Sequence, residues 1–140
     1  MSKVVAIMSM SLDGYVADPN DGVGEVFDWY MSSGDVEFDT GGSDPMTFRV
    51  SESSAEHLRG LISELGAVLT GRRTFDVAQG WGGNHAWGLL DELHVDIAAV
   101  LLGSGVRLFD HLAGTPAVLG NPTVIPGVGV THLRYPVRKA

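Results

Sequence analysis

A chain of 140 residues, 44% hydrophobic and 19% charged, is long enough for one compact domain around one core and too apolar for a disordered segment. It contains no cysteine, which excludes a disulfide framework, a thiolate metal site and a cysteine nucleophile and makes a cytoplasmic location the expectation. The net charge is -8, an acidic balance that repels phosphate backbones and argues against nucleic acid as a partner.

The acidity is uneven. Residues 1–56 hold eleven Asp and Glu against Lys3 and Arg49, whereas residues 57–140 hold six against seven bases. No apolar run approaches the roughly 20 residues needed to cross a bilayer, so no membrane is expected as a partner. The opening run "KVVAIMSM" reads as a buried first strand over residues 3–10; Ser9, Ser11 and Asp13 interrupt it too early for a signal peptide. "SLDGYVADPNDGVG" follows with Asp-Gly, Pro-Asn and Asp-Gly, all turn signals. Residues 18–50 stay rich in Gly, Asp and Ser around "EVFDWYM" and read as a long, weakly structured connection. Within it, Trp29 and Tyr30 form either a lid that stacks on a planar ligand or a small satellite core.

Residues 53–65 give the clearest helix. Ser53 with Glu56 forms a capping box, Leu58, Leu61, Ile62 and Leu65 recur at helical spacing, and Gly66 suits the position beyond the end. Residues 67–70 read as a short strand and 73–79 as a short helix. A strand over 92–102 places Leu93, Val95 and Ile97 on one face and His94, Asp96 and Ala98 on the other. The tail offers two or three short strands separated by Asn-Pro and Pro-Gly, as in an antiparallel edge. The order of elements points to an α/β domain spanning 1–140, with a mostly parallel central sheet and antiparallel edge strands.

Chemistry concentrates in "AVLTGRRTFD", residues 67–76. Gly71 permits a tight turn and close approach of a ligand. Thr74 stands at a helix start, where free N–H groups and the positive end of the macrodipole favour anions. Arg72 and Arg73 offer planar forks that fit a phosphate monoester. The alternative is a Thr74 that only caps the helix beside solvated arginines or ones paired with Asp76. Among the five histidines no pair has i, i+4 spacing, no metal site is expected, and His94 reads as structural. "GSGVRL" lacks the third glycine of a dinucleotide fingerprint, and no Gly-x-Ser-x-Gly elbow supports a hydrolase.

"TGRRTFD" resembles the Gly-Arg-x-Thr-[Phe/Tyr] motif of the dihydrofolate reductase-like family, and in particular the C-terminal reductase domain of the bifunctional riboflavin-biosynthesis deaminase-reductase. "MSMSLDGYVA", "ELGAVLTGRRTFD", "LLDELHVDIAAVLLGSGVRLFD" and the closing "GVTHLRYPVRK" are similar to that family's segments in the same order. The resemblance implies a three-layer sandwich and NADPH as cofactor. Gly71 and Thr74 would contact the pyrophosphate, Arg72 and Arg73 the 2′-phosphate, and Ala17 the nicotinamide. Asp13, the candidate catalytic carboxylate, would stand at the mouth of the substrate cleft. It further implies hydride transfer to a flat nitrogen heterocycle of pterin (dihydrofolate) or ribityl-aminopyrimidine type, and a homodimer through the late strands. A non-catalytic relative that binds a nucleotide or folate is the alternative, and a bare dimerisation module a third.

The chain departs from the family between Trp81 and Leu89, where seven residues replace a strand, a helix and a glycine-rich turn. A parallel crossover needs a dozen residues or more. The expectation is that a further segment belongs near residues 82–90, since deleting a central strand would expose core on both sides.

Overall fold

The computed structural model describes residues 3–39, 47–66, 91–110 and 118–138. Strand β1 (Val5–Ser11) leads through a turn to β2 (Tyr15–Ala17). Helix α1 (Gly24–Ser32) and the hairpin β3 (Val36–Asp39) and β4 (Thr47–Val50) follow, then helix α2 (Glu52–Glu64). Strand β5 (Glu92–Ala98), the short β6 (Val106–Arg107), β7 (Thr123–Pro126) and β8 (Val130–Pro136) complete the described residues. The expected elements at 67–70 and 73–79, and the question of a further segment near 82–90, lie outside them.

The main sheet has the order β1-β5-β8-β7. β1 and β5 run parallel, with Ser9 opposite Asp96; β5 and β8 are antiparallel, with Asp96 opposite His132; β8 returns antiparallel to β7. Among the described residues the sheet is therefore not mostly parallel, because β7 and β8 form a tight hairpin. Gly127 donates to the Val130 carbonyl across its turn, and Gly129 takes the left-handed conformation, φ +69°, that glycine adopts without strain. A mixed α/β architecture with an antiparallel edge holds.

β5 lies between two neighbours and is covered on both faces, so Leu93, His94, Val95 and Asp96 are all buried in succession. Leu93 and Val95 pack with Ala6, Met10, Leu108 and Tyr135 on one side. Ala98 joins Trp29, Phe38, Val50, Ala55, Leu58 and Val130 on the side that α1 and α2 cover.

Residues 18–50 are more ordered than their composition suggests. Val26, Trp29 and Tyr30 repeat at i, i+3, i+4 and give α1 an inward face, with Val26 and Trp29 buried. Trp29 thus belongs to the main core, neither to a lid nor to a satellite cluster. Phe38 and Phe48 face each other across the β3–β4 hairpin.

Helix α2 begins one residue earlier than its sequence pattern, capped by Ser51, whose hydroxyl accepts from the Ser54 N–H. The capping box on Ser53 does not form, because the Ser53 hydroxyl donates to the Pro126 carbonyl and ties α2 to β7. Only part of the expected apolar stripe is inside: Leu58 is buried, whereas Ile62 and Leu65 are exposed. The inward face instead carries Ser54, Ala55 and His57.

Gly34, between α1 and β3, sits so close to β4 that an added Cβ would meet the Val50 carbonyl oxygen at 2.4 Å. Gly34→Ala should force the hairpin away from the core and lower stability by about 1–3 kcal/mol, the usual cost of overpacking. Urea denaturation of the variant beside Gly60→Ala, where an added Cβ meets nothing within 4 Å, checks this.

Candidate functional site

Where β1 and β5 end side by side, two turns lock together. The Asp13 carboxylate accepts the Gly103 N–H at 2.8 Å, the Leu102 N–H at 3.2 Å and the Ser11 hydroxyl at 2.6 Å. Ser11 is fully buried and in turn accepts the Tyr15 N–H. The Leu12 N–H reaches the Val100 carbonyl, and Leu108 N–H the Gly14 carbonyl. The Ser11 hydrogen bond holds Asp13 below its usual 3.8, the backbone donors of Gly103 and Leu102 assist, and desolvation opposes them.

Glycine is required on the second turn. Gly103 has φ +74°, and Gly105 has φ +145° with its backbone against Ala17, where an added Cβ would lie 2.0 Å from the Ala17 carbonyl oxygen. Ala17 is itself buried. Gly14 and Gly103 face open space, and the neighbouring Leu12 and Leu101 are 63% and 69% exposed. Arg107 lies over the Tyr15 ring and donates to its hydroxyl, fastening β6 to β2.

Beside this junction, a cavity of about 630 Å³ opens between α1, the end of β5 and the β7–β8 turn. Glu25, Asp28 and Trp29 from α1 line it, with Val100 and Gly129 opposite. A cavity at the carboxyl end of a strand in an α/β sheet is the usual place for a ligand, and the size is ordinary for one. Asp28 projects from the helix into this space; its Gly/Asp-rich surroundings conceal it in the sequence.

A second group of polar side chains lies beneath α2. Asp96 and His132 are cross-strand partners, and the His132 Nδ1–H donates to Asp96 Oδ1 at 2.7 Å. His132 Nε2 meets the Ser54 hydroxyl at 2.9 Å, and His57 Nε2 approaches Asp96 Oδ1 at 3.7 Å. On its far side His57 Nδ1 faces the Arg134 guanidinium. Arg134 can only donate, so Nδ1 accepts and the His57 hydrogen is on Nε2, turned toward Asp96. Burial raises the Asp96 pKa, but the hydrogen bonds from His132 and His57 outweigh it, and the net direction is down. Burial, helped by the charge on Asp96, raises the Tyr30 hydroxyl far above its usual value.

Ser54, His132 and Asp96 have the connectivity of an acyl-transfer triad, but they are 0%, 0% and 1% exposed, so no substrate reaches them. His57, Asp96 and His132 also each bring one potential metal-ligand atom within 4.8 Å of the others. The hydrogens that Arg134 and Asp96 assign to the two rings occupy the space between them. No local spacing signals this cluster, since Asp96 and His132 are 36 residues apart and Ser54 and His132 are 78 apart.

Of the site residues expected from sequence, Asp13 and Ala17 meet at the junction. Gly71, Arg72, Arg73 and Thr74 lie outside the described residues. No helix among the described residues is long and apolar enough to cross a membrane.

No protein-family model matches the chain, and no curated protein matches it. Among solved structures it is similar to a protein of Shewanella sp. PV-4, provisionally named a riboflavin biosynthesis protein, at 15% identity and a TM-score of 0.48, over 98% of this chain and 99% of that one. A likeness this distant leaves the family open.

Two outcomes are expected. Asp96→Ala leaves the His132 Nδ1 hydrogen without an acceptor in the core and should cost about 3–5 kcal/mol, read from urea denaturation. Asp13, with its pKa lowered, contributes stability that is fully present above pH 3.8 and is lost as the pH falls through its folded value. The stability gap between the wild type and Asp13→Asn should therefore be widest at neutral pH and close below about pH 3.8 in paired denaturation curves.

Proposed function

We propose that the chain is an NADPH-dependent reductase of a flat nitrogen heterocycle, of pterin or ribityl-aminopyrimidine type, built as a dihydrofolate reductase-like sandwich. The observation that carries this is the cavity at the carboxyl end of β5, with Asp28 on its helical wall and the glycine junction at its edge. The ordered motifs of the sequence, above all "TGRRTFD", support the same reading.

The junction fits a dinucleotide in one respect that the described residues carry: Gly14 and Gly103 present backbone to open space, where a ring can approach without meeting a side chain. NADPH, if held there, would supply a hydride to a ring carbon of the acceptor, with the balancing proton drawn from solvent. This chain's residues do the rest. Gly71 and Thr74 would hold the pyrophosphate, Arg72 and Arg73 the 2′-phosphate, and Ala17 would border the nicotinamide. Asp28 accepts hydrogen bonds from ring N–H groups and orients the acceptor. Asp13 acts as a positioning residue, since its three hydrogen bonds fix the turns against each other.

That same commitment of Asp13 favours a second reading, a relative that binds nucleotide or heterocycle without turnover, because it leaves the expected catalytic carboxylate engaged in structure. NADPH oxidation followed with dihydropterin and ribityl-aminopyrimidine acceptors separates the two. The reductase consumes cofactor, and Asp28→Asn lowers kcat by about 10²-fold or more while NADPH affinity holds. The binding relative takes up NADPH without consuming it. Arg72→Ala should weaken NADPH much more than NADH in titration calorimetry; equal losses would remove Arg72 from the 2′-phosphate.

A further inference from the structure

At the opposite end of the sheet from the junction, a groove of about 360 Å³ opens between the C-terminal half of α2 and the starts of β1 and β5. Its floor is a row across three strands: His94 on β5, Arg134 on β8 and Thr123 on β7, each the register partner of the next. Partners in a row have side chains on one face of the sheet, within reach of a single small ligand. Gly60 keeps the roof open, for a Cβ there would meet nothing within 4 Å. Lys3, Asn121 and the Glu64 and Glu92 carboxylates stand at the rim, with Lys3 paired to Glu92 at 3.0 Å.

Two buried atoms on this floor have no hydrogen-bond partner among the described residues: His94 Nδ1 and Arg134 Nε. Their chemistry is complementary. His94 is 3% exposed, and its Nε2 pairs with the Glu92 carboxylate at 2.8 Å. The carboxylate can only accept, so the ring hydrogen is on Nε2 and Nδ1 presents a lone pair. Burial keeps the ring neutral, with the nearby Arg134 and His57 adding to that direction and Glu92 opposing it. Arg134 Nε–H is a donor on a permanent cation. Among the described residues no carboxylate lies within 4.0 Å of that guanidinium, and its neighbour on the inner side is the neutral acceptor of His57. A half-buried guanidinium without an anion, next to a buried acceptor without a donor, defines what is missing.

We propose that this groove binds a small oxyanion that carries its own hydroxyl, such as hydrogenphosphate or a 2-hydroxycarboxylate. Its charged oxygen takes the Arg134 Nε–H, and its O–H donates to His94 Nδ1. The Thr123 hydroxyl and Asn121 serve the remaining oxygens, while Lys3 stays paired with Glu92 and offsets its charge beside the ligand. The site is separate from the reductase reading and does not rest on it, since none of its residues borders the junction or the cavity beside α1.

The hydroxyl requirement gives the test its selectivity. Titration calorimetry of the full chain at pH 7 with inorganic phosphate and with sulfate, which is similar in size but has no O–H at that pH, should show phosphate binding at least tenfold tighter. Glycolate should exceed acetate in the same way, and the stronger of phosphate and glycolate identifies the source. On phosphate addition the Arg134 Nε and His94 ring nitrogen resonances should move. Arg134→Lys should abolish the phosphate-induced movement of the His94 ring nitrogens, whereas Arg72→Ala should leave that movement unchanged, which separates this groove from any phosphate held at residues 71–74. Should Arg134→Lys not fold, Thr123→Val should weaken phosphate severalfold, and the wild-type resonances remain decisive. Equal affinity for phosphate and sulfate, no heat from any of the four anions, or loss of the phosphate-induced His94 shifts in Arg72→Ala would overturn the assignment.

Discussion

A carboxylate that is 1% exposed at the middle of a sheet has to be solvated by the protein itself, and much of this structure follows from how Asp96 meets that demand. Water is unavailable to it, and an isolated charge there would neutralise rather than persist. Two imidazoles turn their hydrogens toward it, one from the facing strand and one from the helix above. Each imidazole is then held on its far side, His132 by the Ser54 hydroxyl and His57 by Arg134. Ser54 is placed by the first turn of α2, whose cap, Ser51, also contacts the Ser54 hydroxyl. The chain of contacts thus fixes the helix over β5 and β8 by direction as well as by area. Apolar packing alone would allow α2 to slide; a network in which every member has one donor or acceptor to satisfy does not.

The same network sets Arg134. Its Nη2 is committed to His57, so the guanidinium is drawn inward while its Nε remains unpartnered at the floor of the groove. Glu92 does the equivalent for His94 by taking the Nε2 hydrogen and leaving Nδ1 as a bare acceptor. Two structural interactions therefore prepare, as a by-product, a donor and an acceptor of opposite demand on one face of the sheet. At the other end of β5 the solution is different. Asp13 gathers backbone N–H groups instead of side chains, and the result is a rigid pair of turns with glycine backbone bare to solvent.

The legible part of the fold was the part carried by local period. β1 declared itself by a nearly continuous apolar run, and β5 and α2 by apolar residues that repeat at 2 or 3.6 residues along the chain. α1 was hidden: its three inward residues lie among glycines and acids, and composition outweighed the period over a nine-residue helix. The inward face of α2 misled in the opposite sense. Ile62 and Leu65 fit the stripe but are exposed, whereas Ser54 and His57, which it does not include, are buried. Their burial is decided by Asp96 and His132, which no window around residue 57 contains. Asp13 was visible as a turn-former, but its bond to Gly103 spans 90 residues, so its structural duty could be read only in three dimensions.

Strand β5 joins the two regions. Its seven residues extend about 20 Å at the rise of a β-strand, with Glu92 and His94 at the groove and Ala98 beside the cavity and junction. Groups placed at its two ends are too far apart to contact one small ligand. An anion on Arg134 and a planar ring beside Asp28 would therefore be separate molecules, each answering a different local deficit. The first deficit is electrostatic, a cation and a lone pair without partners. The second is one of exposed apolar area, with Leu12 and Leu101 projecting from turns that Asp13 holds too firmly to fold back over them.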